Sequence, residues 1–163
     1  MAIPVYLWLK DDIGNRIKGS VEVAHREGSI EITSLAHSVF LPTDDLTGNI
    51  TATREHVPFI LTKEVDASSP YLYQFVTTGR RLKSAELKFY RINYAGQEEE
   101  YFNVLLEGAR IICMTPFMEN VKAPDYEHRG HIEIIEIMYE KVTWKYLDGN
   151  IIHSDSWKER SAA

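Results

Sequence analysis

The stretch from Ser68 to Gly79 carries the only convincing helix signals in a chain that otherwise alternates like β-structure. Pro70 suits a first helical position, where its missing N–H costs nothing, and Ser69 is placed to cap the free N–H groups. Asp66 stands just upstream, at the favourable end of the helix dipole. At 100° per residue Tyr71, Leu72, Phe75 and Val76 fall on one arc, with Tyr73, Gln74, Thr77 and Thr78 opposite. Gly79 supplies the stop, and Arg80 and Arg81 follow it. The pattern predicts one helix over about Ser69–Gly79. So short a helix is marginal alone in water, so Tyr71, Leu72, Phe75 and Val76 are expected to brace it against a sheet or barrel.

Strands are predicted on both sides. Val5, Leu7 and Leu9 alternate with Tyr6, Trp8 and Lys10, and Gly19 to Val23 reads as a second, short strand. Ser29 to Leu41 reads as a long strand whose phase shifts midway, as a bulge or sharp bend produces. In its second half Leu35, His37, Val39 and Leu41 share a face expected to turn towards the core. Ser34, Ala36 and Ser38 then share the outward face. His37 on a core face needs a hydrogen-bond partner, which the sequence does not identify. Pro42 to Asn49 reads as an exposed loop. Beyond the helix, Leu82 to Tyr94 and Glu98 to Met114 are strands joined at Ala95-Gly96-Gln97. His131 to Leu147 is the longest strand expected, and Asp148-Gly149-Asn150 turns it back. Short turns between strands favour antiparallel pairing, and hence a closed or nearly closed barrel. Several strands are apolar on both faces, so a second face must meet the helix or another subunit.

The 163 residues suit one domain, 1–163, with 44% hydrophobic and 26% charged residues and no repeat or linker dividing it. A net charge of −6 argues against a generic nucleic-acid binder. Cys113 is the only cysteine, which excludes an intramolecular disulfide; alternating with Ile111, it is expected to be a small buried residue. The N-terminal apolar run is too short for a signal peptide, and no segment reaches membrane-spanning length. His128-Arg129-Gly130-His131 offers two imidazoles, yet no further ligand stands at metal spacing. There is no Gly-x-Ser-x-Gly elbow, no His-Glu-x-x-His and no phosphate loop. No catalytic, metal or cofactor site is expected, and the chain is not read as an enzyme.

A resemblance then enters. Ser68-Ser69-Pro70-Tyr71-Leu72-Tyr73, and Tyr139-Glu140-Lys141-Val142-Thr143-Trp144-Lys145-Tyr146 through Asp148-Gly149-Asn150-Ile151-Ile152-His153, resemble Hcp, the haemolysin-coregulated protein family of type VI secretion. Further matches run from Ala2-Ile3-Pro4-Val5-Tyr6-Leu7 to Asp155-Ser156-Trp157. They include Gly28-Ser29-Ile30-Glu31, Leu82-Lys83-Ser84-Ala85-Glu86 and Glu99-Glu100-Tyr101-Phe102-Asn103. The resemblance implies a mainly β fold: an antiparallel barrel with one short flanking helix, assembled as a hexameric ring. Stacked rings would form the inner tube inside a contractile sheath, with a VgrG spike at the tip and small effectors in the lumen. It implies a cytoplasmic protein that is secreted when the system fires. The chain ends soon after Trp157, and no C-terminal effector domain is expected. Where related sequences tend to read Gly-Phe-Ser-His-Gly, this chain has Ser34-Leu35-Ala36-His37-Ser38, so a cargo contact by the serine hydroxyl is in doubt.

Two surfaces follow as expectations. Ser34, Ala36 and Ser38 are expected to face the channel of the ring, the alternative being close packing of a neighbouring subunit's backbone. Pro42, Thr43, Asp44, Asp45, Leu46, Thr47, Gly48 and Asn49, within a region from Leu41 to His56, are expected to reach another ring or a neighbouring subunit. The competing functions are a monomeric barrel holding a small ligand and, with less support, a secreted hydrolase effector.

Overall fold

A computed structural model describes residues 3–124 and 130–159. Its elements are β1 (Val5–Lys10), β2 (Arg16–Ile17), β3 (Ile30–Ile32), β4 (Ser34–Ala36), β5 (Val39–Phe40), β6 (Glu55–His56), β7 (Phe59–Glu64), α1 (Ser69–Thr78), β8 (Leu82–Ile92), β9 (Glu98–Phe117), β10 (Ile132–Met138), β11 (Lys141–Tyr146) and β12 (Ile151–Ser156). The fold is mainly β, every strand pair is antiparallel, and α1 is the one helix among the described residues.

Closure depends on two strands that each serve two neighbours. The first half of β9 lies between β8 and β11, and its second half pairs with β10. On the opposite side the chain bends at Thr33. Ile30–Ile32 pairs with β1, Ser34–Ala36 pairs with β7, and Thr33 N–H donates to the Thr62 carbonyl at 2.8 Å. The barrel therefore runs β1, β8, β9, β10, β7 and back to β1 through the β3–β4 bend. Its interior is filled by Leu7, Leu9, Leu61, Leu87, Leu106 and Ile135, all without solvent contact.

The helix covers this core with a narrower stripe than its pattern suggests. Leu72 and Phe75 are buried, Val76 packs at the edge, and Tyr71 is 56% exposed. Gly79 takes the left-handed conformation (φ 66°) that ends the helix, and Arg80 folds back over the Phe75 ring. Ser69 is not a cap. Its hydroxyl is buried, donating to Glu133 Oε1 (2.6 Å) while accepting from Lys63 Nζ (3.1 Å) and Asp66 N–H (3.0 Å). Lys63 and Glu133, paired across β7 and β10, form a wholly buried ion pair at 2.5 Å. It is Asp66 that accepts from Ser68 N–H, at 2.9 Å.

Several strand expectations need correction. Arg16–Ile17, not the segment from Gly19, pairs with the end of β1. A Cβ at Gly19 would stand 2.4 Å from the Ser29 carbonyl oxygen, so the chain passes that point as a tight crossing. The longest strand is β9; the segment from His131 breaks at Tyr139-Glu140, where β11 leaves β10 to pair with the other half of β9. Cys113 is not buried. Ile111 pairs with Ile137 and Cys113 with Glu136, so the residue between them is a bulge that reverses the phase. The aliphatic face assigned to the core fails as well: Leu35 is 36%, Val39 40% and Leu41 51% exposed, because the chain leaves the barrel after Ala36. His128 and Arg129 lie outside the described residues, which hold no cluster able to bind a metal.

Candidate assembly surfaces

Beyond β4 the chain runs out and back as one arm. Val57 N–H donates to the Ser38 carbonyl, Val39 and Phe40 pair with His56 and Glu55, and Thr51 N–H donates to the Pro42 carbonyl. A bridge between Thr43 and Ile50 closes the tip. Inside it, Asp44 Oδ1 accepts from Leu46 N–H (2.8 Å) and Thr47 N–H (2.9 Å), and these bonds hold its carboxyl below the usual range. The segment from Pro42 to Asn49 is thus an ordered turn. Its apolar side chains find no cover among the described residues: Leu46 is 96% and Ile50 63% exposed, and Val39, Phe40 and Leu41 are also exposed.

The root of the arm is held by polar groups that the sequence leaves scattered. His56 Nδ1 and His37 Nε2 both reach the Tyr139 hydroxyl, at 2.5 and 2.8 Å. His56 Nε2 meets Asp155 Oδ2 at 2.7 Å, where Arg54 Nε also donates at 2.5 Å. Arg54 donates further to the carbonyls of Ser156 and Glu159. The Arg54 guanidinium is the main reason that Asp155 titrates below the usual carboxylate range. Burial, reinforced by the charge of His56, lowers the pKa of His37 to about 4, and burial raises that of Tyr139. Residues 37, 54, 56, 139 and 155 become neighbours only when the barrel closes, and the one sequence signal was a histidine lacking a partner.

The second surface is the outer face of the sheet β4–β7–β10–β9. Register aligns Ser34, Thr62, Ile134 and Thr115 in one row, and Ala36, Ile60, Glu136 and Cys113 in the next. Ser34 Oγ approaches Thr62 Oγ1 at 3.3 Å, and Cys113 Sγ approaches Thr115 Oγ1 at 3.6 Å. Glu136 is the single charge in these two rows. Ser38 does not belong to them; it is exposed at the root of the arm.

A barrel filled by aliphatic side chains, an arm with exposed apolar residues and two outer rows holding a single charge put the distinctive features of this fold on its surface. The family model described as type VI secretion system effector, Hcp, matches residues 6–146. The major exported protein of Pseudomonas aeruginosa PAO1 is 32% identical over 149 residues, covering 91% of this chain and 84% of that protein. Among solved structures, the Hcp1 protein from E. coli EAEC 042 is 56% identical with a TM-score of 0.87, covering 96% of this chain and 99% of that one. Secreted protein Hcp3 from Pseudomonas aeruginosa is 27% identical with a TM-score of 0.77, covering 97% of this chain and 100% of that one. The chain belongs to the Hcp family, the tube proteins of type VI secretion.

Proposed function

We propose that this chain is a non-catalytic tube subunit, made in the bacterial cytoplasm and exported when the secretion apparatus fires. Six copies close into a ring, rings stack, a sheath surrounds them, a VgrG spike caps them, and small effectors ride in the lumen. The observation that carries the proposal is the arm. Leu46 and Ile50 stand exposed on a turn that its own hydrogen bonds hold rigid, and a single protomer gains nothing by presenting them to water. The arm is assigned to a neighbouring copy, in the same ring or the next. The rows through Ser34 and Ala36 are assigned to the channel wall, since hydroxyls and small side chains give cargo few fixed charges to bind.

Solution mass by light scattering, combined with negative-stain electron microscopy, tests the assembly. Six-subunit rings are the expected result. A protein that stays monomeric at every concentration overturns the proposal and returns attention to a monomeric barrel holding a small ligand.

A further inference from the structure

The root of the arm has a proton inventory fixed by its geometry. Asp155 offers only lone pairs, so the His56 nitrogen facing it, Nε2, carries a hydrogen. The Tyr139 hydroxyl has one hydrogen and two lone pairs, and two imidazole nitrogens compete for it. With His56 neutral, its Nδ1 is bare and takes the tyrosine hydrogen, and His37 donates Nε2–H back to the same oxygen. One added proton is accommodated by a concerted turn. His56 Nδ1–H then donates to Tyr139, the tyrosine hydrogen swings to His37 Nε2, and His37 changes tautomer, its hydrogen moving from Nε2 to Nδ1 near the Val57 backbone. A second added proton has no place. Both rings would donate to one oxygen, the buried hydroxyl hydrogen would lose its acceptor, and two like charges would face each other.

The surroundings offer no relief. Phe59 of β7 lies flat on the His37 ring at 3.8 Å, and Trp144 of β11 flanks it with His153 stacked behind. Trp157 lies 5.1 Å from His56, and Glu55 beside it on the arm is exposed. Glu140, next to Tyr139, is engaged by Arg81 and Lys158. Arg54 is committed to Asp155 and two carbonyls, with the Glu159 charge behind it. Among the described residues, every side-chain hydrogen bond from the arm to the barrel runs through His37, Arg54 or His56.

We propose that the arm is held by a one-proton latch, closed while at most one of His37 and His56 is charged and released when both are. The sign follows from linkage. The closed arm keeps His37 near 4, below the ordinary 6.5, so the released arm binds the proton more tightly and acid favours release. Release grows as pH falls below about 6.5 and is complete below about 4, and the open-to-closed ratio rises at most about 300-fold. Protonation of Asp155 at still lower pH acts in the same direction.

The test places nitroxide labels at Leu46→Cys on the arm and Asp148→Cys on the β11–β12 turn, in a Cys113→Ser chain. The distance distribution is recorded from pH 8 to pH 3 alongside circular dichroism. A narrow distribution at neutral pH is expected, broadening with a midpoint near pH 4 to 5 while the β-sheet signal persists. His37→Phe keeps the ring stack on Phe59 and should remove the transition. An unchanged midpoint in that variant, an arm that stays narrow to pH 3, or broadening only as the whole barrel unfolds each overturns the latch. Should His37→Phe not fold, nitrogen-15 shifts of the unmutated histidines decide: His37 should move its hydrogen from Nε2 to Nδ1 as His56 gains charge. Two histidines that titrate independently near 6.5 would overturn it.

Discussion

Leu72 and Phe75 meet almost no solvent, while Tyr71, on the arc they were expected to share, is 56% exposed. The three positions should therefore separate by experiment. Leu72→Ala or Phe75→Ala should cost about 2–5 kcal/mol in denaturant unfolding, through lost transfer energy and the cavity left behind. Tyr71→Ala should stay within about 0.5 kcal/mol. The buried pair of Lys63 and Glu133 makes a different prediction. Glu133→Leu removes one of the two carboxylates on the buried Lys63 ammonium, leaving Asp66 at 3.1 Å, and should cost about 1–3 kcal/mol, whereas adding Lys63→Met should recover most of it. A double variant as unstable as the single one would show that the pair contributes through more than charge balance. Alternation alone cannot reveal such a pair, because Lys63 and Glu133 occupy core-facing positions where the period predicts aliphatic side chains.

At the scale of elements, the arm and the barrel should come apart under deletion. Removing Asp44 to Gly48 takes away the tip turn but neither the root hydrogen bonds nor any core side chain. Thermal unfolding should be little changed, while ring stacking, read by electron microscopy, should be impaired; normal tubes from the deleted chain would refute the arm's role. Elements with one steady period were legible in the sequence: β1 and the helix lie where alternation and the 100° arc put them. Legibility failed where a strand changes partner. The midway phase shift marks the bend at Thr33 but not that it passes the chain from β1 to β7, and nothing in the alternation marks the bulge before Cys113 that turns a face over. Both depend on neighbours distant in sequence, and a period carries no record of them. The polar ties of His37, Arg54 and His56 were hidden for the same reason, since their partners lie about a hundred residues away.

For the whole molecule, the register supplies a native reporter of the channel. Ala36 and Cys113 stand at the two ends of one outward row, separated by Ile60 on β7 and Glu136 on β10. If the outer face of β4–β7–β10–β9 lines the channel, both ends of that row share one environment in the assembled tube. A small maleimide should then label the native Cys113, and also Ala36→Cys in a Cys113→Ser chain. The same reagent tethered to a bead wider than the channel should reach neither. Labelling of both sites by the bead would put the face on the outside of the tube, against the sheath. Protection of both sites from the small reagent would put it in a contact between subunits, with Ala36 small so that a neighbouring backbone can approach. Two cysteines on different strands guard against a local artefact, because a bulge or a shifted arm would alter one position and leave the other. Agreement between them tests the face as a unit, which is the level at which a channel wall is built.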